Sequence, residues 1–172
     1  MCIRDRNKAD VYVPTASDGT VEGKSGPTIG MGIDLGYQSV ESLTQAGVGA
    51  KTIALLAPYL GKTKQQALDY VTNNPLTLGD NELDSLNMAI KAQQVERVRS
   101  QYNEASGGKM ADLTRGQQTA ITSLLFQYGS GRKVPTAWGH ATKGEWSKYK
   151  DELLDFGDRY PTRRKLEAGL LK

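Results

Sequence analysis

The sequence predicts an α+β fold, mostly helical, in which a small antiparallel β-sheet precedes a helical lobe. Three features point to it. Residues 10–36 are rich in Gly, Thr, Ser and β-branched side chains, and residues 28–33 within them alternate with period two. From Ser39 onward the apolar residues recur at three- and four-residue spacing. No repeat, low-complexity tract or long linker interrupts the change, so the 172 residues are expected to form one domain, with a β lobe at 7–37 and a helical lobe at 38–172.

The elements follow in order. Residues 10–14 are an extended run stopped by Pro14. Ser17-Asp18-Gly19-Thr20 and Gly23-Lys24-Ser25-Gly26 are turn signals. Residues 28–33 alternate side chains with glycine and read as a strand. Gly30 and Gly32 then share one face, where a backbone or ligand can approach closely. Ser39 is placed to cap a short helix that Gly47 ends. Residues 52–60 and 63–72 form two more, the latter capped by Thr63 and stopped before Pro75. Residues 80–106 are the longest periodic stretch, with Leu83, Leu86, Met88, Ile90, Val95, Val98 and Tyr102 as its apolar positions, and Gly107-Gly108 as its end. Residues 114–128 carry Ala120, Ile121, Leu124, Leu125 and Phe126 and read as a central helix, apolar all round. Three short helices complete the chain at 135–141, 143–156 and 161–171, with Pro135 and Pro161 in first turns.

Composition removes several classes of function. A mean hydropathy of −0.51, with no apolar run near the length of a membrane span, excludes a transmembrane helix. A single cysteine, Cys2, excludes a disulfide framework and a Cys-built zinc site. A single histidine, His140, excludes a two-His metal site and argues against a Ser/His or Cys/His triad. No cofactor and no metal are expected. The net charge of +3, without an aromatic-interleaved basic patch, gives no sign of a nucleic-acid partner. Met1-Cys2-Ile3-Arg4-Asp5-Arg6 lacks the apolar core and cleavage site of a signal peptide. It resembles the spurious starts of translated metagenomic assemblies, so the native N-terminus is expected to be missing.

The chemistry is expected in residues 25–36. Thr28 and Asp34 flank the glycine-rich run, and a hydroxyl and a carboxylate held on a rigid strand can bind and activate a water. On spacing alone the plainer reading carries more weight: Asp34 caps a turn and Thr28 fills a strand.

The segment Ser25-Gly26-Pro27-Thr28-Ile29-Gly30-Met31-Gly32-Ile33-Asp34-Leu35-Gly36 is similar to the motif Ser-Gly-Val-Thr-Ile-x-x-Gly-Phe-Asp-Leu-Gly of pesticin-like muramidases, bacteriocin and effector domains related to the lysozymes of T-even phages. Three further elements follow the same order. Tyr12-Val13-Pro14 resembles the family's Tyr-Val-Pro. Leu124-Leu125-Phe126-Gln127-Tyr128-Gly129 resembles the Phe-Asn/Gln-x-Gly helix end of phage lysozymes. Thr162-Arg163-Arg164-Lys165-Leu166-Glu167-Ala168 resembles the C-terminal Thr-Arg-Arg-x-x-Glu-Ala helix. The resemblance implies a lysozyme-like two-lobed fold with its cleft between the sheet and the helical lobe. It also implies a monomeric, bacteriolytic glycosidase. The implied reaction is hydrolysis of the β-1,4 bond between N-acetylmuramic acid and N-acetylglucosamine in peptidoglycan glycan strands. Such a domain acts in the bacterial periplasm or cell wall, reached from outside, by secretion or by phage lysis, with no membrane insertion.

The family's catalytic set is a Glu, a Thr and an Asp. Thr28 and Asp34 match the last two at the family's separation of six. The Glu lies in a Glu-Gly pair seven residues before the Tyr and 23 before the Thr. Both counts land on Asp5, with Arg6 in place of the glycine. Asp5 is therefore the position of the acid, one methylene short, and impaired activity is expected. Arg163 matches the arginine that pairs with the catalytic Glu in phage lysozymes; a solvated helix face is its alternative. Gln127 and Tyr128 are candidate sugar contacts, with simple packing as the alternative, and Tyr12 is a supporting residue. Glu22 and Asp10 match no family position and are expected to be solvated. Trp138, Trp146 and Phe156 read as core anchors and His140 as a surface or capping residue. Pro27 replaces the family's Val and removes a strand N–H, so its position should be an edge or bulge. The reading from another class is a non-catalytic peptidoglycan-binding domain, or a structural phage or effector module with a vestigial lysozyme fold.

Overall fold

In the computed structural model, which describes residues 8–171, three short antiparallel strands open the chain. They are β1 (Lys8–Tyr12), β2 (Thr28–Gly30) and β3 (Ile33–Asp34), in the order β1-β2-β3. Eight α-helices follow among the described residues: α1 (Val40–Gln45), α2 (Ala50–Leu56), α3 (Lys64–Asn73), α4 (Asp80–Ser106), α5 (Arg115–Tyr128), α6 (Pro135–Thr142), α7 (Trp146–Leu154) and α8 (Pro161–Gly169). The fold is α+β and mostly helical, as expected. The chain divides into two compact units, Met1–Gln93 and Gln94–Lys172.

In the first unit the sheet and the short helices share one core. Val11, Ile29, Ile33 and Leu35 pack with Leu43, Ile53, Leu56 and Tyr59, and with Leu83, Leu86 and Ile90 of α4. β1 gains a second partner along its outer edge: the Val11 N–H donates to the Leu76 carbonyl, and the Leu78 N–H to Ala9, each at 2.9 Å. Ser39 caps α1 through a reciprocal pair of bonds with Ser42. α2 starts two residues before the sequence reading. It ends at Leu56 in a tight turn, Ala57–Tyr59, because Pro58 cannot continue the helical hydrogen bonding.

The expected single strand over 28–33 is two strands and a reversal. Gly30 and Gly32 have φ of +62° and +99°, and the Gly32 N–H bonds the Ile29 carbonyl at 3.2 Å. The glycines serve the turn rather than a flat strand face, because only a residue without Cβ adopts such angles readily. Pro27 sits just before β2, where its missing N–H costs no ladder bond, and its carbonyl accepts from Leu35 at 2.7 Å.

The bounds of α4 match the sequence reading, but two of its apolar positions do not face the core. Met88 is 71% exposed and Val95 39% exposed. The buried stripe runs through Leu83, Leu86 and Ile90, and the polar Asn87 lies in it, buried.

The second unit is built around Val98, Tyr102, Ile121, Leu124, Leu125, Tyr149, Leu153 and Ala168, with Trp138, Trp146 and Phe156 half-buried against them. Trp138 covers Gly131, where a Cβ would fall inside the indole. α5 is capped by a Thr114–Gln117 box and ends at Gly129, φ +80°. It buries one stripe (Ala120, Ile121, Leu124 and Leu125) rather than its whole circumference; Phe126 is only half-buried. α7 starts at Trp146, three residues after the sequence reading, because Gly144 takes φ +72°.

Candidate active site

The sheet register assembles the site. Tyr12 on β1 pairs with Thr28 on β2, and Thr28 pairs with Asp34 on β3. Directly opposed residues in an antiparallel sheet project to the same face, so the three side chains form one row across three strands. The Leu35 N–H bond to the Pro27 carbonyl flanks the Thr28–Asp34 pair. That makes it the narrow kind of pair, in which opposed side chains come closest. The row also depends on an irregularity in β1, which inserts extra residues between its Lys8 and Tyr12 pairings.

Asp34 is held by the backbone. Its Oδ1 accepts from the Gly36 N–H at 2.8 Å and its Oδ2 from the Gly26 N–H at 3.3 Å. The first of these bonds caps the tight turn Leu35–Tyr37, so the plain reading of Asp34 as a turn cap is part of its structure. Gly26 and Gly36 face each other across the carboxylate. A Cβ on Gly26 would meet the Lys62 carbonyl at 2.5 Å, Asp34 Oδ1 at 2.6 Å and the Gly36 Cα at 2.7 Å. Thr28 is buried, and its Oγ1 donates to the Gly26 carbonyl at 3.1 Å. With its proton committed there, the hydroxyl presents lone pairs, as the free side of the Asp34 carboxylate does. Both side chains can therefore accept hydrogen bonds on the same face of the sheet. Lys8 Nζ lies 4.1 Å from the centre of the Tyr12 ring.

Asp5, Cys2 and the rest of residues 1–7 lie outside the described residues. Glu22 is exposed in the loop after β1, and Asp10 accepts from the Thr77 hydroxyl at 2.5 Å on the sheet edge.

Gln127, Tyr128 and Arg163 lie in the second unit, around an ionic cluster. Arg163 donates to the Ser123 carbonyl at 2.7 Å, to Ser123 Oγ and to Glu167 Oε1. Ser123 Oγ donates to the same Glu167 oxygen at 2.5 Å. Arg164 is 2% exposed and bonds Glu167, Asp158 and the Gln127 side-chain carbonyl. The Tyr128 hydroxyl donates to Asp158 at 2.8 Å. Two guanidinium groups and two carboxylates therefore balance in a largely buried setting, which such charges require. Burial alone would raise the Asp158 carboxyl. The Tyr128 hydroxyl, the Tyr160 N–H and Arg164 outweigh it and hold the group below its ordinary value. His140 Nδ1 lies 2.8 Å from Glu145, whose carboxyl Lys148 and His140 together hold down at about 2.

Sequence reasoning missed Arg164, Asp158 and Ser123 in the cluster, Gly26 and Gly36 around Asp34, and Asn87 against the turn at Met31. A signal existed for part of it. Arg163 and Arg164 lie four and three residues before Glu167, the spacings at which helix side chains meet.

A family model, Pesticin, described as a bacterial toxin homologue of phage lysozyme, C-terminal part, matches residues 4–147. Comparison with the curated proteins gave no match.

Proposed function

Because the chain belongs to the Pesticin family of bacterial toxin homologues of phage lysozyme, we propose that it is a muramidase. Its substrate on this reading is the β-1,4 bond between N-acetylmuramic acid and N-acetylglucosamine in peptidoglycan, and its target a bacterial cell wall. The observation that carries the reading is the opposed Thr28–Asp34 pair, with its carboxylate fixed by two backbone N–H groups.

In this mechanism residue 5 supplies the general acid. Its proton passes to the glycosidic oxygen as the bond from that oxygen to C1 breaks. A water held by Thr28 Oγ1 and Asp34 attacks C1 from the opposite face and gives its proton to Asp34. Preset acceptors cost no reorganisation as the oxocarbenium-like charge develops. An acid must reach within about 3 Å of the oxygen it protonates. Asp5 carries one methylene fewer than Glu, so a lowered rate is the expected consequence on this reading.

The test is reducing-end release from purified peptidoglycan by three proteins: the chain itself, Asp5→Glu/Arg6→Gly, and that repair carrying Asp34→Ala. Release that rises on repair and vanishes with Asp34→Ala supports the muramidase. No release by any of the three, with native circular dichroism, sinks it. The Asp at position 5 favours a second reading, a wall-binding domain without catalysis. That domain would sediment with peptidoglycan and release no reducing ends even after repair.

A further inference from the structure

The Thr28–Asp34 pair stands on a hairpin whose strands are three and two residues long, so its geometry depends on what holds the turn. One buried polar group does. Asn87 is 6% exposed, in the α4 stripe between Leu83 and Ile90, where an apolar side chain would be the default. Its Oδ1 accepts the Met31 N–H at 3.1 Å, across 56 residues of sequence. Met31 is the residue at the tip of the reversal, where the turn's own hydrogen bond belongs to Gly32. The turn also lies flat on Asn87: a Cβ at Gly30 would collide with Oδ1 and press on Leu83 Cδ1. A buried amide is retained in an apolar stripe only when its bonds repay its desolvation.

We propose that Asn87 is a positioning residue, which pins the hairpin turn to α4 and thereby fixes the spacing of Thr28 and Asp34. Its consequence for catalysis rests on the muramidase reading; the tether itself does not. Thr28 lies two residues before Gly30 and Asp34 two residues after Gly32. A turn free to rock on α4 would therefore tilt both strands and alter the gap between hydroxyl and carboxylate.

The experiment compares the full chain with Asn87→Leu, which keeps the branched side-chain shape and loses the acceptor, and Asn87→Asp, which keeps an acceptor oxygen. Amide hydrogen exchange and proton shifts are read by NMR at Met31 and at Gly36, whose N–H reports on Asp34. In the unmodified protein the Met31 amide should be protected. Asn87→Leu should speed its exchange about five- to tenfold or more, the size of effect a lost buried hydrogen bond gives. It should also shift the Gly36 amide, while Asn87→Asp restores both. On peptidoglycan, in the Asp5→Glu/Arg6→Gly background, Asn87→Leu should lower kcat about tenfold or more with KM little changed, since geometry rather than uniform binding is lost. A Met31 amide unprotected in the unmodified protein overturns the proposal without any variant. So does an Asn87→Leu protein with unchanged Met31 and Gly36 signals, or Asn87→Asp failing equally. If no form releases reducing ends, the muramidase reading falls and the amide signals still decide the tether.

Discussion

Replacing Gly26 by alanine tests the site through a single methyl group. Gly26 does not occupy the left-handed backbone region, so alanine brings no conformational penalty there. The cost is steric. The new Cβ would stand 2.6 Å from Asp34 Oδ1, which is 0.8 Å inside the 3.4 Å where ordinary contact begins. Its other neighbours, the Lys62 carbonyl at 2.5 Å and the Gly36 Cα at 2.7 Å, are backbone atoms that cannot swing aside. The carboxylate must therefore retreat or the clasp must open. Overpacking of this kind costs about 1–3 kcal/mol. For a chain of this size that lowers Tm by roughly 2–12 °C. A displacement near 1 Å at a reacting group costs about 100-fold in rate. In the Asp5→Glu/Arg6→Gly background, Gly26→Ala should then reduce reducing-end release by about 10–100-fold. The control is Gly139→Ala, inside α6 with nothing near its Cβ. It should leave activity alone and raise stability by up to about 1 kcal/mol. A Gly26→Ala protein with the parent's Tm and the parent's rate would refute the clasp.

The second unit yields two more predictions. Arg164→Met should lower stability by about 3–5 kcal/mol in urea unfolding, because it leaves Asp158 without its cation and the buried Glu167 with only the partly exposed Arg163. A loss under about 1 kcal/mol, the scale of an exposed ion pair, would mean that the cluster is solvated. Asp158 should also contribute to acid sensitivity. Its carboxyl is held below the ordinary 3.8. Its contribution is therefore present in full above that value and is lost as pH falls through the lowered folded value. Asp158→Asn should flatten the fall of stability below about pH 4, measured by thermal melts across the acid range; an unchanged slope would exclude this carboxyl as a source.

What the sequence determined by itself is local. Ser39 announces a helix start, because a capping hydroxyl bonds an amide three residues on. Pro135 and Pro161 stand in first turns, and Gly129 ends α5, because φ preference belongs to the single residue. The bounds of α4 followed from the same short-range logic. The separation of six between Thr28 and Asp34 was equally legible, and with it their candidacy as a pair.

Tertiary structure decided how that separation is used. A straight strand would set the two residues six positions apart; the reversal at Gly30–Gly32 makes them cross-strand partners. Packing decided that Asn87 faces the sheet while Met88 faces solvent. It also decided that Gly26 and Gly36 close on one carboxylate, and that Arg164 rather than Arg163 carries the buried charge. Periodicity fixes which face of a helix is apolar, but not which residue from 56 positions away will meet it. Such contacts arise only when distant elements pack, as those of Asn87 with the turn at Met31 and of Gly26 with the Lys62 carbonyl do.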